Sequence, residues 1–309
     1  MDRAWARRRL DSVGLLAEGL ARAKAMLAPQ TQGFPTYSSE LWVRRYVKLN
    51  PEGFRDGPHA MAATPGTSRL LLVGDSVAFG WGIVRSEDRL GEQLAERLRA
   101  GTGRKWEVLN ASWPDTNTLD HIGFLERMMS YGPDVVALLY VFNDINYLEP
   151  VVDEARLMGR ASAPSRFDPL WICYQNFYAV QEVFVRARIA YYSMLGDDRS
   201  DPYLNPALLA RHFVDLARFQ SIATRDGALF ELIPINLESL RVPKLRERYR
   251  LFLRQARSTG LPTCSLDGAF DGFPFRDLTV NVVDNHANER ANRLAADAVA
   301  GCLAQRSEG

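Results

Sequence analysis

Cysteine is scarce in this chain of 309 residues, which holds three: Cys173, Cys264 and Cys302. An odd number without CxxC spacing suggests neither a disulfide framework nor a thiolate zinc site, and it fits a reducing compartment. Long apolar runs are missing as well. The longest strongly apolar stretch, Val135 to Phe142, is eight residues, far short of the roughly 20 that span a bilayer as a helix. No transmembrane segment is therefore expected. Nor does either charge dominate, because 38 Lys and Arg face 37 Asp and Glu for a formal net charge of +1. Phosphate backbones attract proteins through clustered positive charge, so nucleic acid is not an expected partner. HExxH, EF-hand, GxxxxGK and dinucleotide-binding patterns are absent, and neither a metal nor a cofactor is expected.

What remains is an ordinary folded chain, 47% apolar and 24% charged, with enough apolar residues for a sizeable core. Arg7, Arg8 and Arg9 precede Leu10, Val13, Leu16, Leu20 and Leu27, a near-helical spacing that ends at Pro29 and reads as an amphipathic helix. Asp11, Glu18, Arg22 and Lys24 interrupt every window in which a secretory signal would need an apolar core, so a cytoplasmic location is expected. Basic residues beside an apolar stripe suit packing on the chain's own domain, or peripheral contact with a membrane surface or partner. The piece WVRRYVKLNPEGFRD, Trp42 to Asp56, reads as a lead-in segment wrapped on the domain. Residues 1–66 are thus expected to form the N-terminal helix and lead-in, and residues 67–309 the main domain.

Short apolar runs alternate with amphipathic periodicity from there on. Arg69–Val73, Trp106–Leu109, Asp134–Phe142 and Ala228–Ile233 read as strands. Ser86–Leu98, Leu119–Met129, Pro206–Thr224, Leu245–Ser258 and Ala287–Leu303 read as helices. This alternation predicts a parallel sheet covered on both faces, an α/β fold. An aromatic-rich stretch between Tyr147 and Tyr203 interrupts it and reads as an insertion, placed either over the site or as a helical pair on the sheet edge.

Open α/β sheets bind ligands beyond the carboxyl ends of their strands. Three polar groups stand there: Gly74-Asp75-Ser76, Asn110-Ala111-Ser112-Trp113-Pro114 and Asn143-Asp144. A fourth, Asp284-Asn285-His286, precedes the last helix. A serine hydroxyl needs a general base, and the base needs an orienting group. Ser76 is the candidate nucleophile, His286 the base and Asp284 its carboxylate, two residues away and on the same side of an extended stretch. Asp75 and Ser76 also suit a turn or helix cap, and Asp284 or Asn285 a helix N-cap. Of the other histidines, His212 reads as a partly buried helix-face residue, His121 as a solvated residue at a helix start, and His59 belongs to the lead-in. Asn143 is placed to donate to a developing oxyanion, with Asp144 holding its loop.

These blocks, RLLLVGDSVAFGWGI, VLNASWPDTNT, PDVVALLYVFNDI and VVDNHANERANRLAADAV, resemble in order those of the SGNH (GDSL-type) hydrolase superfamily. The resemblance runs from Arg69 to Leu303 and implies a flavodoxin-like three-layer α/β/α sandwich with a central parallel sheet. It implies a Ser76, His286 and Asp284 triad, with Asn143 and the Ser76 backbone N–H as oxyanion donors. A third donor would come from the position of Ser112, or of Ala111 with a one-residue shift, where the family usually has glycine. The family's frequent D-x-x-H is here D-x-H, similar to the group that includes alginate O-acetylation proteins. The implied activity is hydrolysis of a lipid, glycan or small-molecule ester through an acyl-enzyme. An O-acyltransferase and a catalytically silent carbohydrate-binding protein are the alternatives.

Overall fold

The computed structural model describes residues 39–148, 202–266, 268–281 and 284–307. The chain divides into two compact units, Met1–Lys48 with Val151–Gly196, and Leu49–Pro150 with Asp197–Gly309. In the first, the described residues include one helix, α1 (Ser39–Tyr46). The amphipathic helix expected near the N-terminus lies outside the described residues, as does nearly all of the aromatic-rich insertion.

The second unit is built on four parallel strands, β1 (Thr67–Gly74), β2 (Lys105–Ser112), β3 (Val135–Tyr140) and β4 (Leu229–Pro234). Their order is β2-β1-β3-β4. The central pair are the apolar runs RLLLV and VVALLY, and every β3 residue is buried, as a strand covered on both faces requires. Helices α2 (Ser76–Phe79), α3 (Leu90–Thr102), α4 (Thr118–Met128), α5 (Pro206–Thr224), α6 (Pro243–Ser258) and α7 (Glu289–Ser307) complete the unit among the described residues. Leu90 and Leu94 of α3 and Ala291, Ala295 and Val299 of α7 pack with Leu70, Leu72, Ala137 and Leu139 on one side of the sheet. On the other side α5 and α6 pack through Phe219 on Phe230 and Phe252 stacked on Tyr140, next to α4. These are three layers, as the alternation predicts.

The helix expected from Ser86 is split into a 3-10 turn, Ser86–Asp88, and α3, with Arg89 extended between them. Arg89 is buried there, and its guanidinium donates to Arg55 O and to Glu92. Arg55 of the lead-in is also buried, and donates to Gly80 O at 2.6 Å, Ile83 O at 2.7 Å and Phe79 O at 3.2 Å. Burial, reinforced by Arg89, lowers its pKa to about 10. The lead-in thus fixes the turn that follows α2.

Cysteine corrects the sequence reading. Cys264 and Cys302 are joined in a disulfide, with Cα atoms 5.9 Å apart. Spacing shows only local frameworks, whereas these residues are 38 apart and meet because the segment around Thr263 runs beside β4. There Leu232 N donates to Pro262 O (2.8 Å) and Cys264 N to Leu232 O (2.9 Å). No described helix is long and apolar enough to cross a membrane.

Candidate active site

The sheet order reverses direction at β1 and β3, the neighbouring strands from which the chain leaves toward opposite edges, and such a point opens a crevice at the carboxyl ends. The first turn into it is set by Gly74, where a Cβ would lie 2.8 Å from both Ala78 Cβ and Leu139 O. No larger residue allows α2 so close to β3. Asp75 caps α2, its Oδ1 accepting from Val77 N at 3.0 Å. Ser76 follows, at the start of the helix. Gly80 ends the helix in the left-handed region at φ 73°, a conformation that costs glycine little.

Asp284 and His286 arrive from the other end of the chain. Their loop is closed by the Thr279–Ala287 bridge and by Val280 N donating to His286 O at 2.9 Å. The two residues meet through an Asx-type turn instead of an extended stretch, because Asp284 Oδ1 accepts from His286 N at 3.1 Å while also facing the ring of the same residue. Asp284 Oδ1 lies 2.5 Å from His286 Nδ1, and His286 Nε2 lies 2.9 Å from Ser76 Oγ. With Nδ1–H committed to the carboxylate, Nε2 is left to accept from the serine hydroxyl. Serine, imidazole and carboxylate thus stand in the order of a Ser-His-Asp relay.

Burial pushes the Asp284 carboxyl up, but the hydrogen bond and charge of His286, its backbone N–H and the Trp81 indole N–H together hold it below the usual value. It stays ionised beside the imidazole. Trp81, whose ring centroid is 6.1 Å from that of His286, is a site residue that the sequence reading missed. Its only signal was its place in the first block, five residues after Ser76.

Ser76 Oγ also donates toward Asp75 Oδ2 at 3.1 Å, and Asn143 Nδ2 is 3.5 Å from the same oxygen. Asp75 is therefore both helix cap and tether between nucleophile and candidate oxyanion donor. Its burial raises its pKa against the pull of Val77 N–H, His286, Ser76 and Asn143. The Ser112 hydroxyl does not turn to the site. It is fully buried and donates to Asn110 Oδ1. Asp144 holds the turn after β3, accepting from Val141 N at 3.1 Å while its own N–H donates to Val141 O at 3.0 Å.

His121 departs from the solvated position expected of it and is fully buried. Its Nε2 lies 3.1 Å from Thr116 Oγ1, whose own proton goes to Trp113 O. Burial, helped by His212, lowers its pKa to about 3, so the ring is neutral. His212 is buried between Tyr140 OH (3.0 Å) and Tyr147 OH (3.2 Å). His59 bridges Asp56 and Glu107 at 2.9 and 2.7 Å. Among the described residues no three His, Cys, Asp or Glu side chains converge as metal ligands would.

Burial first, then the charge of Asp75, pushes Asp144 well above its ordinary 3.8, so the folded carboxyl keeps its proton at pH values where the unfolded one has lost it. The unfolded carboxyl ionises at the ordinary value and the folded one does not. Stability from this group is therefore full below that value and declines as pH rises toward the folded pKa, by up to about 1.4 kcal/mol per pH unit. Asp144→Asn keeps the acceptor for Val141 N and removes the ionisation. In urea unfolding between pH 5 and 8, the variant is expected to gain on the parent as pH rises. A difference that stays flat would mean that Asp144 is ionised in the fold.

No protein-family model matches the chain, and no curated protein matches it. Solved structures similar to it include that of TesA, with a TM-score of 0.47 and 18% identity over 76% of this chain and 98% of that one. A lipase, Lip_vut3, from a goat rumen metagenome has a TM-score of 0.48 and 12% identity over 76% and 97%. The psychrotrophic esterase EstA from Pseudoalteromonas sp. has a TM-score of 0.44 and 14% identity over 78% and 100%.

Proposed function

We propose that the protein is a serine ester hydrolase of the SGNH type. The observation that carries this reading is the continuous relay from Ser76 Oγ to His286 Nε2 and from His286 Nδ1 to Asp284, 2.9 and 2.5 Å long. His286 takes the Ser76 proton as Oγ attacks the ester carbonyl. Asn143 and the backbone N–H at the start of α2 hold the oxyanion. His286 then protonates the departing alcohol, leaving an acyl-enzyme on Ser76 that water discharges by the same steps in reverse. A second reading, transfer of the acyl group to a sugar or metabolite hydroxyl, is favoured by the D-x-H spacing and shares every step up to the acyl-enzyme. A silent binding protein would have no need of Ser76 and His286 within reach of each other.

The test is intact-mass spectrometry and peptide mapping after exposure to a serine-directed fluorophosphonate. One adduct is expected, on Ser76, and none in Ser76→Ala or His286→Ala. A folded protein that takes no adduct at Ser76 contradicts the reading. Free acid released without an added acceptor then separates hydrolysis from transfer.

A further inference from the structure

His121 lies in α4, fully buried, and takes no part in the triad. Thr116 Oγ1 is 2.6 Å from Trp113 O and 3.1 Å from His121 Nε2. A carbonyl has no proton to give, so the hydroxyl proton lies between Thr116 and Trp113, and His121 Nε2 is the donor to that same hydroxyl. A neutral ring with its proton on Nε2 leaves Nδ1 a bare acceptor. Nδ1 is buried and has no hydrogen-bond partner. Facing it at 3.8 Å is Asp144 Oδ2, and both side chains are fully buried.

A carboxylate set against an imidazole lone pair in the interior would leave two acceptors without a donor. One proton between them satisfies both. Burial favours the arrangement without charge, since it lowers the imidazole to about 3 and raises the carboxyl. Rotation about Asp χ2, a soft torsion, brings the pair to hydrogen-bond length.

The contacts then form a chain behind the triad. Trp113 N donates at 3.2 Å to the carbonyl of Gly74, two residues before Ser76. Trp113 O accepts from Thr116, Thr116 from His121, and His121 from Asp144, the neighbour of Asn143. The direct link between Asn143 and the turn of the nucleophile is a 3.5 Å contact with Asp75, at the weak limit of a hydrogen bond. The amide needs a firmer backing than that.

Resting on the reading of Ser76 as an esterolytic nucleophile, we infer that His121 is a positioning residue: the Asp144 carboxyl O–H donates to its Nδ1, and the chain from Asp144 through His121 and Thr116 to Trp113 sets Asn143 at the distance from Ser76 at which its amide meets the oxyanion. His121 itself touches no substrate. The uncharged pair also keeps an anion from standing behind the donor, where it would oppose the negative charge that develops in the transition state.

The experiment compares His121→Phe, which keeps a ring and loses both nitrogens, with His121→Gln, whose amide restores one donor and one acceptor. Thr116→Val breaks the same chain at a half-buried residue and Thr116→Ser restores it, a pair that serves should substitution of His121 prevent folding. In hydrolysis of p-nitrophenyl acetate, His121→Phe is expected to lower kcat and kcat/KM together by about ten- to a hundredfold, part of the roughly 10²–10³ that loss of a whole oxyanion donor costs. Thr116→Val is expected to lower both by about fivefold or more. Phosphonylation of Ser76, whose adduct fills the same oxyanion position, is expected to slow with them. His121→Gln and Thr116→Ser are expected to return to within about threefold of the parent. In 15N NMR of histidine-labelled protein at pH 7, the signals lost in His121→Gln are expected to be those of a neutral ring with its proton on Nε2. Folded His121→Phe or Thr116→Val with unchanged kcat, a loss that neither His121→Gln nor Thr116→Ser recovers, or a ring protonated at Nδ1 overturns the inference alone. No turnover of any ester, together with no fluorophosphonate adduct on Ser76 of the parent, overturns the ester reading and this inference with it.

Discussion

Ser76→Ala and His286→Ala are each expected to lower kcat/KM for a reactive ester by about 10⁴-fold or more, and the double variant to lose little beyond either single one. The reason lies in how the relay is wired. Ser76 Oγ has two acceptors within reach, His286 Nε2 at 2.9 Å and Asp75 Oδ2 at 3.1 Å. Only the first leads the proton to a group that returns it to the leaving alcohol. Without the imidazole the hydroxyl still donates to Asp75, but Asp75 is tied to Val77 N–H and Asn143 and has no path to the leaving group. Without Ser76 the imidazole has nothing to activate, so the effects of the two substitutions do not add. Steady-state hydrolysis of p-nitrophenyl acetate, on variants whose circular dichroism matches the parent, makes the measurement. Activity within about tenfold of the parent in either variant would rule out this relay as the source of catalysis.

Removing the disulfide by replacing both Cys264 and Cys302 with serine is expected to cost about 4 kcal/mol of stability. The bridge closes a loop of 38 residues, and on the chain-entropy account the cost of leaving it open in the unfolded state grows with the logarithm of that length. For a unit of this size the loss corresponds to a fall in Tm of roughly 8 to 16 °C, read by calorimetry. The bridge ties the segment beside β4 to α7, the helix that starts three residues after His286. Thiol titration of denatured protein should find one reactive thiol, Cys173, before reduction and three after it. If the protein resides in the cytoplasm, as the sequence suggested, both thiols would be kept reduced. Trapping free thiols at the moment of cell lysis therefore separates a reducing compartment from an oxidising one. Three thiols and an unchanged Tm in the double variant would contradict the bridge.

The sequence was most legible where one physical signal stood alone. The strand β3 announces itself because six consecutive apolar residues are buried on both faces, and the polar groups after β1 and β3 fall at strand ends where a sheet of this kind opens. The D-x-H pair was legible as a pair, but its geometry was not. An extended stretch and an Asx turn both bring residues i and i+2 together, and only the hydrogen bond from His286 N to Asp284 separates them. Residues whose roles depend on remote partners stayed hidden. Arg55 looks like one more surface cation until the carbonyls of Phe79, Gly80 and Ile83 surround it. His121 sits at a helix start, where solvent is the ordinary neighbour, yet the fold closes over it. The bridged cysteines carry no local pattern at all, and Trp81 only its place in the block that follows Ser76.

The base and its carboxylate share one short loop, closed by its own backbone hydrogen bonds, whereas 210 residues separate Ser76 from His286. Half of the relay is therefore cheap to assemble, since joining Asp284 to His286 costs almost no loop-closure entropy, and the other half waits on the whole fold. A chain still emerging or refolding forms the acid–base pair as soon as its last segment is in place. It acquires a nucleophile only when β1 and the loop before α7 dock on a finished sheet. On the proposed reading, activity is thus a sensor of the chain's longest-range contact, silent in any partly folded state that retains secondary structure but has not brought the two ends of the domain together.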